Sequence, residues 1–437
     1  SYVVSESIAK GIGRNLSDVI YSLVTDVSYD GTLGIESRVV YSENDEHSHY
    51  AQGLKRPASR TDGRLPSMIT MTFGKNVYAD RNIVWFTDKS ITATDLQICE
   101  GDRQAFIDGT SKVSLLQGTT QIYAVDYPLA DLGVLSTYST KELARHQISL
   151  TGLKPDTVYT YRIGDYSNWY WSEIYTFKTP NIAEKTPFEI LITTDMQAMT
   201  KTSYENSSKL IKASYNTTKF GYDFMLNLGD IVDDGRNLSQ WQNYLDCNGQ
   251  VFGMLPQVIA PGNHDIAEFT MPEDYLPSQS DVITSKYQAL DLHYNFASEN
   301  NYYSFDYKSV HFVVLDTNNM NLEQLEWLAE DLKANINNLV VVAMHKGIYS
   351  AGPHQNDIDI VNMRKHLSKL FSDNKVEIVL QGHDHIYSES FFLNGDGNKT
   401  DTPVYKQGAP INNNNGGVLY VTMGTAGDKF YDFNMDT

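Results

Sequence analysis

The chain has 437 residues and carries 34 basic against 54 acidic side chains, a net charge of −20. At roughly 150 residues per domain there is room for about three domains. So acidic a chain is not expected to hold nucleic acid through a broad basic surface, because phosphate backbones are gripped by clustered Lys and Arg. With 41% hydrophobic and 20% charged residues it is a folding sequence, not a disordered one. It lacks the run of about 18 apolar residues that a membrane-spanning helix needs. The two cysteines, Cys99 and Cys247, lie far apart in no ligand-like cluster, so packing is their expected role.

Residues 1–64 carry no assignable role. Leu16–Val24 has helix or strand potential, Glu43–His49 is a polar stretch, and Lys55–Gly63 reads as a linker. The Ser-Tyr-Val-Val opening, without an initiator Met, is read as that of a processed protein, giving an expected location that is secreted, cell-surface or periplasmic.

Residues 65–181 change texture. The short β-rich runs Met68–Phe73, Asn82–Phe86, Gln121–Ala124, Gln147–Leu150 and Val158–Ile163 follow one another with turn residues and no good helix between them. This rhythm predicts an antiparallel β-sandwich. Thr151–Thr157 supplies a turn in which Pro155 presets φ and Asp156 bonds local backbone, and Val158–Tyr161 alternates as a half-buried strand should. The Trp169-Tyr170-Trp171 cluster is read as packing of this sandwich.

From residue 186 to 437 apolar strands alternate with helical patterns, predicting an α/β domain. The strands are Phe188–Thr194, Phe224–Leu228, Gln257–Ala260, His311–Leu315, Leu339–Met344, Val376–Leu380 and Val418–Met423. Leu322, Leu325, Leu328 and Leu332 form an apolar stripe at helical spacing, expected to face the core.

The chemistry lies where these strands stop. They run into Asp195-Met196-Gln197, Gly229-Asp230, Gly262-Asn263-His264-Asp265, His345 and Gly382-His383-Asp384-His385. Sites of open α/β sheets lie at the carboxyl ends of strands. The spacings from Asp195 to Asp230 and on to Asn263 each suit one strand–helix–strand step of about 30 or more residues. Asp, Asn and His together are ligands for borderline and hard divalent cations, and a pair of such ions needs one carboxylate able to bridge them.

In this order the motifs resemble the calcineurin-like metallophosphoesterase superfamily, and within it the purple acid phosphatases. Met344-His345-Lys346-Gly347-Ile348-Tyr349, Gly382-His383-Asp384-His385-Ile386-Tyr387 and the preceding β-domain, similar to a fibronectin type III-like domain, carry the likeness. The resemblance implies a β-sandwich flanked by helices that holds two divalent ions, with Mn, Zn, Fe and Mg all open. It implies that Asp230 bridges them, that Asp195 and His385 bind the first, and that Asn263, His345 and His383 bind the second. His264 is then expected beside the substrate with Asp265 orienting its ring, and His354 in the substrate pocket. Two positions depart from the pattern. The superfamily's Asp-x-His is Asp195-x-Gln197 here, and the tyrosine that purple acid phosphatases place three residues after the bridging Asp is Asp233. Gln197 is therefore expected to bind metal through its amide oxygen or to hold a metal-bound water, and the protein is expected to be colourless.

The expected activity is hydrolysis of phosphate esters, monoesters first, on a small phosphorylated substrate and not a nucleic acid duplex. Diesterase or nucleotide hydrolysis is the alternative within the class. A metal-containing binding or adhesion module without turnover is the alternative outside it.

Overall fold

A computed structural model describes residues 19–27, 33–41, 63–130, 137–182, 187–198, 200–217, 221–266, 288–298, 300–336, 338–405, 413 and 415–433. Strands β1 (Val19–Val27) and β2 (Leu33–Tyr41) pair antiparallel. The polar stretch 43–49 lies outside the described residues.

Nine strands follow: β3 (Ser67–Phe73), β4 (Arg81–Asp88), β5 (Asp95–Glu100), β6 (Ser114–Gln117), β7 (Thr119–Ala130), β8 (Thr137–Leu150), β9 (Val158–Asp165), β10 (Tyr170–Trp171) and β11 (Tyr175–Lys178). Within them β3-β4-β8-β7 make one antiparallel layer, and β10-β9-β5-β6 with β11 beside β9 make the other. Met71, Ile83 and Trp85 from the first layer meet Leu96, Tyr161 and Ile163 from the second in a closed apolar core. Two local expectations change. Thr160, the polar position of an alternating run, is buried, because its hydroxyl donates to the Gly101 carbonyl (2.8 Å) and pairs with the Thr176 hydroxyl (3.0 Å). A short helix, Arg103–Asp108, also interrupts the strands, with the Asp102 carboxylate accepting from the Ala105 amide. In the aromatic cluster Trp171 is buried, with the Arg162 guanidinium 4.5 Å from its ring centre.

The second part contains β12 (Ile190–Thr193), β13 (Phe224–Asn227) and β14 (Gln257–Ile259), all parallel, with helices Lys201–Thr217 and Leu238–Phe252 between them. Then come β15 (Tyr303–Tyr307), β16 (Val310–Val314), helix Leu322–Ala334, β17 (Leu339–Lys346), helix Ile358–Asp373 and β18 (Ile378–Gly382). The chain ends through β19 (Tyr387–Glu389), β20 (Phe392–Leu393), β21 (Lys399–Asp401) and β22 (Leu419–Met423). A second sheet has the order β15-β16-β17-β18-β22-β19, parallel from β16 through β22. Phe224, Leu226 and Val258 pack against Phe312, Val314, Ala343, Leu380 and Val421 between the two sheets, and the helices cover the outer faces. The result is a β-sandwich flanked by helices.

The two parts share a sheet. β14 pairs parallel with β3 through Gln257 and Thr72, so β12-β13-β14-β3-β4-β8-β7 runs as one seven-stranded surface. The leucine stripe is only partly core. Leu328 and Leu332 are buried, but Leu322 is 69% exposed. Gln324 takes an inner place instead, its amide oxygen accepting from the Asp316 amide (2.9 Å) and its NH2 donating to the Asp316 and Asn319 carbonyls.

Two buried histidines make the fold sensitive to acid. His146 stacks on Trp85 and bonds the hydroxyls of Thr87 and Thr94, and burial pushes its imidazole down to about 4. His293 lies against Phe86 and Trp241, and burial, with Arg145 nearby, pushes it down to about 3. Both are neutral in the fold and titrate near 6.5 once unfolded, so their stabilisation is complete above about pH 6.5 and is lost as pH falls. Each should cost roughly 1.4 kcal/mol per pH unit below that point. His311 opposes them: burial lowers it, but Asp331 and Asp306 raise it overall, so its stabilisation is present below about pH 6.5 and fades on the alkaline side. Melting temperature should therefore drop between pH 7 and 5, less steeply in His293→Phe. An identical slope in wild type and variant would contradict this account.

Candidate metal centre

β12, β13 and β14 run parallel in one sheet, as do β17 and β18 in the other, and the donors at their carboxyl ends meet at one edge of the sandwich. The residues at those ends adopt backbone that ordinary side chains avoid. Among the described non-glycine residues nine have positive φ, and four of these are Asp195 (51°), Asp230 (53°), His383 (73°) and His385 (49°). Left-handed backbone at such residues costs of order 1–3 kcal/mol each and persists where the surroundings impose it, typically at functional sites. The turns close because two glycines leave room. A β-carbon on Gly262 would overlap the Asp230 amide nitrogen, and one on Gly382 would overlap the Thr194 hydroxyl.

These turns bring together two groups of donors that share one carboxylate. Asp230, His345 and His383 offer ligand atoms within 4.8 Å of one another, as do Asp195, Asp230 and His385. His345 is fully buried, and its Nδ1 meets the Leu228 carbonyl at 2.8 Å, which fixes the proton there and turns Nε2 inward. That nitrogen lies 3.1 Å from Asn263 Oδ1, 3.2 Å from His383 Nδ1 and 3.3 Å from Asp230 Oδ2. On the other side His385 Nδ1 meets the Lys429 carbonyl at 2.8 Å, leaving Nε2 3.3 Å from Asp195 Oδ1. Lone pairs from imidazole, amide and carboxylate thus face one another in a buried space. Such an arrangement is stable only around positive charge, and the residues fit a pair of divalent ions.

The electrostatics show protons standing in for that charge. Burial, together with the neighbouring Asp230, pushes Asp195 up to about 7. Burial alone would lower His345, but Asp230 and Asp195 raise it to about 9. Burial would likewise raise Asp230, yet His345 beside it holds this carboxylate below the usual range. His385 is pushed down to about 4 by burial, so its Nε2 is available as a ligand. Cations binding here displace protons.

His264 stands at the rim, one-third exposed, with its backbone amide donating to Asp230 Oδ1 (2.9 Å). Its ring is not oriented by Asp265. That carboxylate is buried beneath the loops, accepting from the amides of Ile231 (2.7 Å) and Gly262 (3.0 Å), so it ties the Asp230 turn to the Asn263 turn. The ring of His264 is held by Asp233, whose carbonyl lies 2.7 Å from Nδ1 and whose carboxylate lies 3.9 Å away. His354 lies with its ring 4.4 Å from that of His383, its Nδ1 bonded to Asp357 (2.9 Å) and its amide donating to the buried Asp384 (3.0 Å). Gln197 reaches the centre but as part of a hydrogen-bonded chain. Only one orientation of its amide satisfies both neighbours, with nitrogen donating to Asp230 Oδ2 (2.7 Å) and oxygen accepting from Lys429 Nζ (3.0 Å).

Lys429 and Tyr431 are additions that the sequence did not single out. The Tyr431 ring lies 4.6 Å from that of His385 and 5.7 Å from that of His354. They come from the segment after β22, which is pinned to the Asp195 turn by the Thr425 hydroxyl donating to the Asp195 carbonyl (2.6 Å) and the Ala426 amide donating to the Thr194 carbonyl (2.8 Å). No motif marks that segment.

Two family models match the chain, one described as "Calcineurin-like phosphoesterase" over residues 188–387 and one as "Purple acid Phosphatase, N-terminal domain" over residues 66–179. The chain carries a calcineurin-like phosphoesterase domain. Its donor groups are those just described, and the purple acid phosphatase N-terminal domain is the antiparallel sandwich before it. Relatives of both include Purple acid phosphatase 21 of Arabidopsis thaliana, 27% identical over 295 residues, 65% of this chain and 58% of that protein. Probable purple acid phosphatase 20 of the same plant is 26% identical, over 61% of this chain and 59% of its own. Probable inactive purple acid phosphatase 27, also of that plant, is 24% identical over 66% and 50%. The chain thus spans less than two thirds of the length of these relatives. Among solved structures, the purple acid phosphatase from yellow lupin (Lupinus luteus) seeds shares the fold of the phosphoesterase domain and its sandwich. It has a TM-score of 0.62 at 17% identity, over 85% of this chain and 66% of that one. PhoD shares it at a TM-score of 0.53 and 13% identity, over 83% and 78%.

Proposed function

We propose that this protein hydrolyses phosphate esters, phosphomonoesters by preference, in a metal-dependent reaction. The observation that carries the reading is the pair of donor groups meeting at Asp230. Asn263, His345 and His383 would hold one ion with Asp230, and Asp195 and His385 the other. When bound, divalent ions there supply Lewis-acid polarisation of phosphoryl oxygens and acidify water. The remaining work falls to the protein. Asp230, through its Oδ1 bond to the His264 amide, fixes where His264 stands relative to the ions. The Asp233 carbonyl accepts from Nδ1–H of His264, so Nε2 is the atom that carries or releases the proton at the mouth of the site. Protonated, it donates to the leaving alkoxide. His354, its ring 4.4 Å from that of His383, is the second group placed to meet a phosphate oxygen.

Neither Gln197 nor Asp233 supplies a phenolate, which supports Mn, Mg, Zn or Fe(II) as the ions and a colourless protein. Should the purified protein show a visible charge-transfer band, the proposed metal set is wrong, and loss of that band in Tyr431→Phe would identify the phenolate. Among the described residues no helix is long and apolar enough to cross a membrane. Export to the periplasm, cell surface or medium is part of the same proposal. Cys99 and Cys247 are both buried and form no disulfide, so the fold does not depend on an oxidising compartment.

The decisive experiment loads the full chain with each divalent ion and follows 4-nitrophenyl phosphate beside bis(4-nitrophenyl) phosphate, before and after chelation. The reading expects turnover of the monoester that a chelator abolishes. Faster turnover of the diester would move the assignment to a phosphodiesterase. Full metal loading without turnover of either would place the chain with relatives whose names include "probable inactive".

A further inference from the structure

The two sides of the centre are unequal. The Asp230, His345 and His383 group has a fourth donor in Asn263, whose Oδ1 lies 3.1 Å from His345 Nε2. Among the described residues, the Asp195 and His385 group has only the shared Asp230 in addition. The side chain that could extend it, Gln197, is committed at both ends, to Asp230 by its nitrogen and to Lys429 by its oxygen. Behind the amide that would extend this side stands an ammonium group.

Lys429 is not there by chance of a long side chain. Its carbonyl accepts from His385 Nδ1, so the residue that orients this metal-facing imidazole is the same one that sends its ammonium toward Gln197. Its Nζ lies 5.2 Å from the Tyr431 ring centre, and Thr425 and Ala426 tie the segment to the Asp195 turn. A positive charge one amide group away from the Asp230 carboxylate lowers the attraction that a second cation would feel on this side.

We infer that Lys429 is a built-in cation of the Asp195 side and makes the centre asymmetric. One divalent ion binds tightly among Asp230, Asn263, His345 and His383, and the second binds weakly at Asp195 and His385. Lys429 acts as a positioning residue for metal loading, through Gln197 and through its own charge. This rests on the metal-centre reading above.

The test is calorimetric titration of Mn2+ into the chelator-stripped full chain. Wild type should take one ion tightly and a second at least roughly tenfold more weakly, a ratio that one nearby like charge can impose. Lys429→Met should narrow the gap to less than about threefold by tightening the weak site alone, and Lys429→Arg should restore the wild-type gap. The tight site serves as the control that the variants are folded. Two equal sites in wild type, an unchanged gap in Lys429→Met, or loss of its tight site would overturn the inference while leaving the metal centre in place. No Mn2+ binding by wild type would overturn the metal-centre reading itself.

Discussion

Asp230→Asn should lower phosphoester hydrolysis by at least about a thousandfold, the scale on which a central electrostatic group acts in a buried site. It should also abolish tight binding of divalent ions. The size of the effect follows from how many things this carboxylate does at once. It is the one group common to both sets of donors. Its Oδ2 faces His345 and Gln197, and its Oδ1 receives the His264 amide. Asparagine keeps the shape but removes the negative charge, and its NH2 would face either the His264 N–H or the inward lone pairs. A ligand bound only by the folded state raises stability by mass action. Divalent ions should therefore raise the melting temperature of wild type and leave that of Asp230→Asn unmoved. Activity within tenfold of wild type, or an equal thermal shift in both proteins, would show that Asp230 does not join two metal positions.

His264→Ala should separate chemistry from metal binding. His264 is outside both donor groups, and its ring is fixed through Nδ1 to the Asp233 carbonyl with Nε2 facing outward. Loss of a general acid costs typically 10²–10⁴-fold in rate, and the loss should depend on the leaving group. An alkyl phosphate releases a basic alkoxide that needs the proton, whereas 4-nitrophenolate leaves nearly unaided. The variant should therefore lose about 10³-fold or more on an alkyl phosphate and much less on 4-nitrophenyl phosphate, with metal content unchanged. A uniform loss across leaving groups would reassign His264 to phosphate binding. Loss of metal would make it part of the centre's framework through the Asp230 turn.

Much of this site is visible in the sequence because its parts are local. Each ligand follows a short apolar strand, and glycines at 229, 262 and 382 mark backbones that must turn sharply. Residue type, strand end and order suffice to collect Asp195, Asp230, Asn263, His345, His383 and His385. What is not local is not visible. The Asp265 carboxylate follows His264 directly, which suggests a partnership, but the turn points it inward to the amides of Ile231 and Gly262. Asp233 looks like a lost ligand and instead holds His264 with its carbonyl, a backbone group that side-chain identity does not report. Lys429 and Tyr431 sit in a segment without pattern and reach the centre only because β22 lies beside β18. Leu322, expected to face the core, is exposed while Gln324 is buried for a similar reason, a buried amide being acceptable once the Asp316 loop supplies its partners.

The amino-acid sequence by itself determined the strand and helix alternation, the antiparallel sandwich and the chemical identity of the donors, since these depend on periodicity and residue type within a few positions. The tertiary structure decided which lone pairs face one another and which charges stand beside them. The amide of His383 donates to Asp195 across 188 positions, and Lys429 reaches Gln197 from the far end of the chain. Distances of 3 Å between such residues are set by sheet order and by the close contact of backbone turns, and no local pattern encodes either.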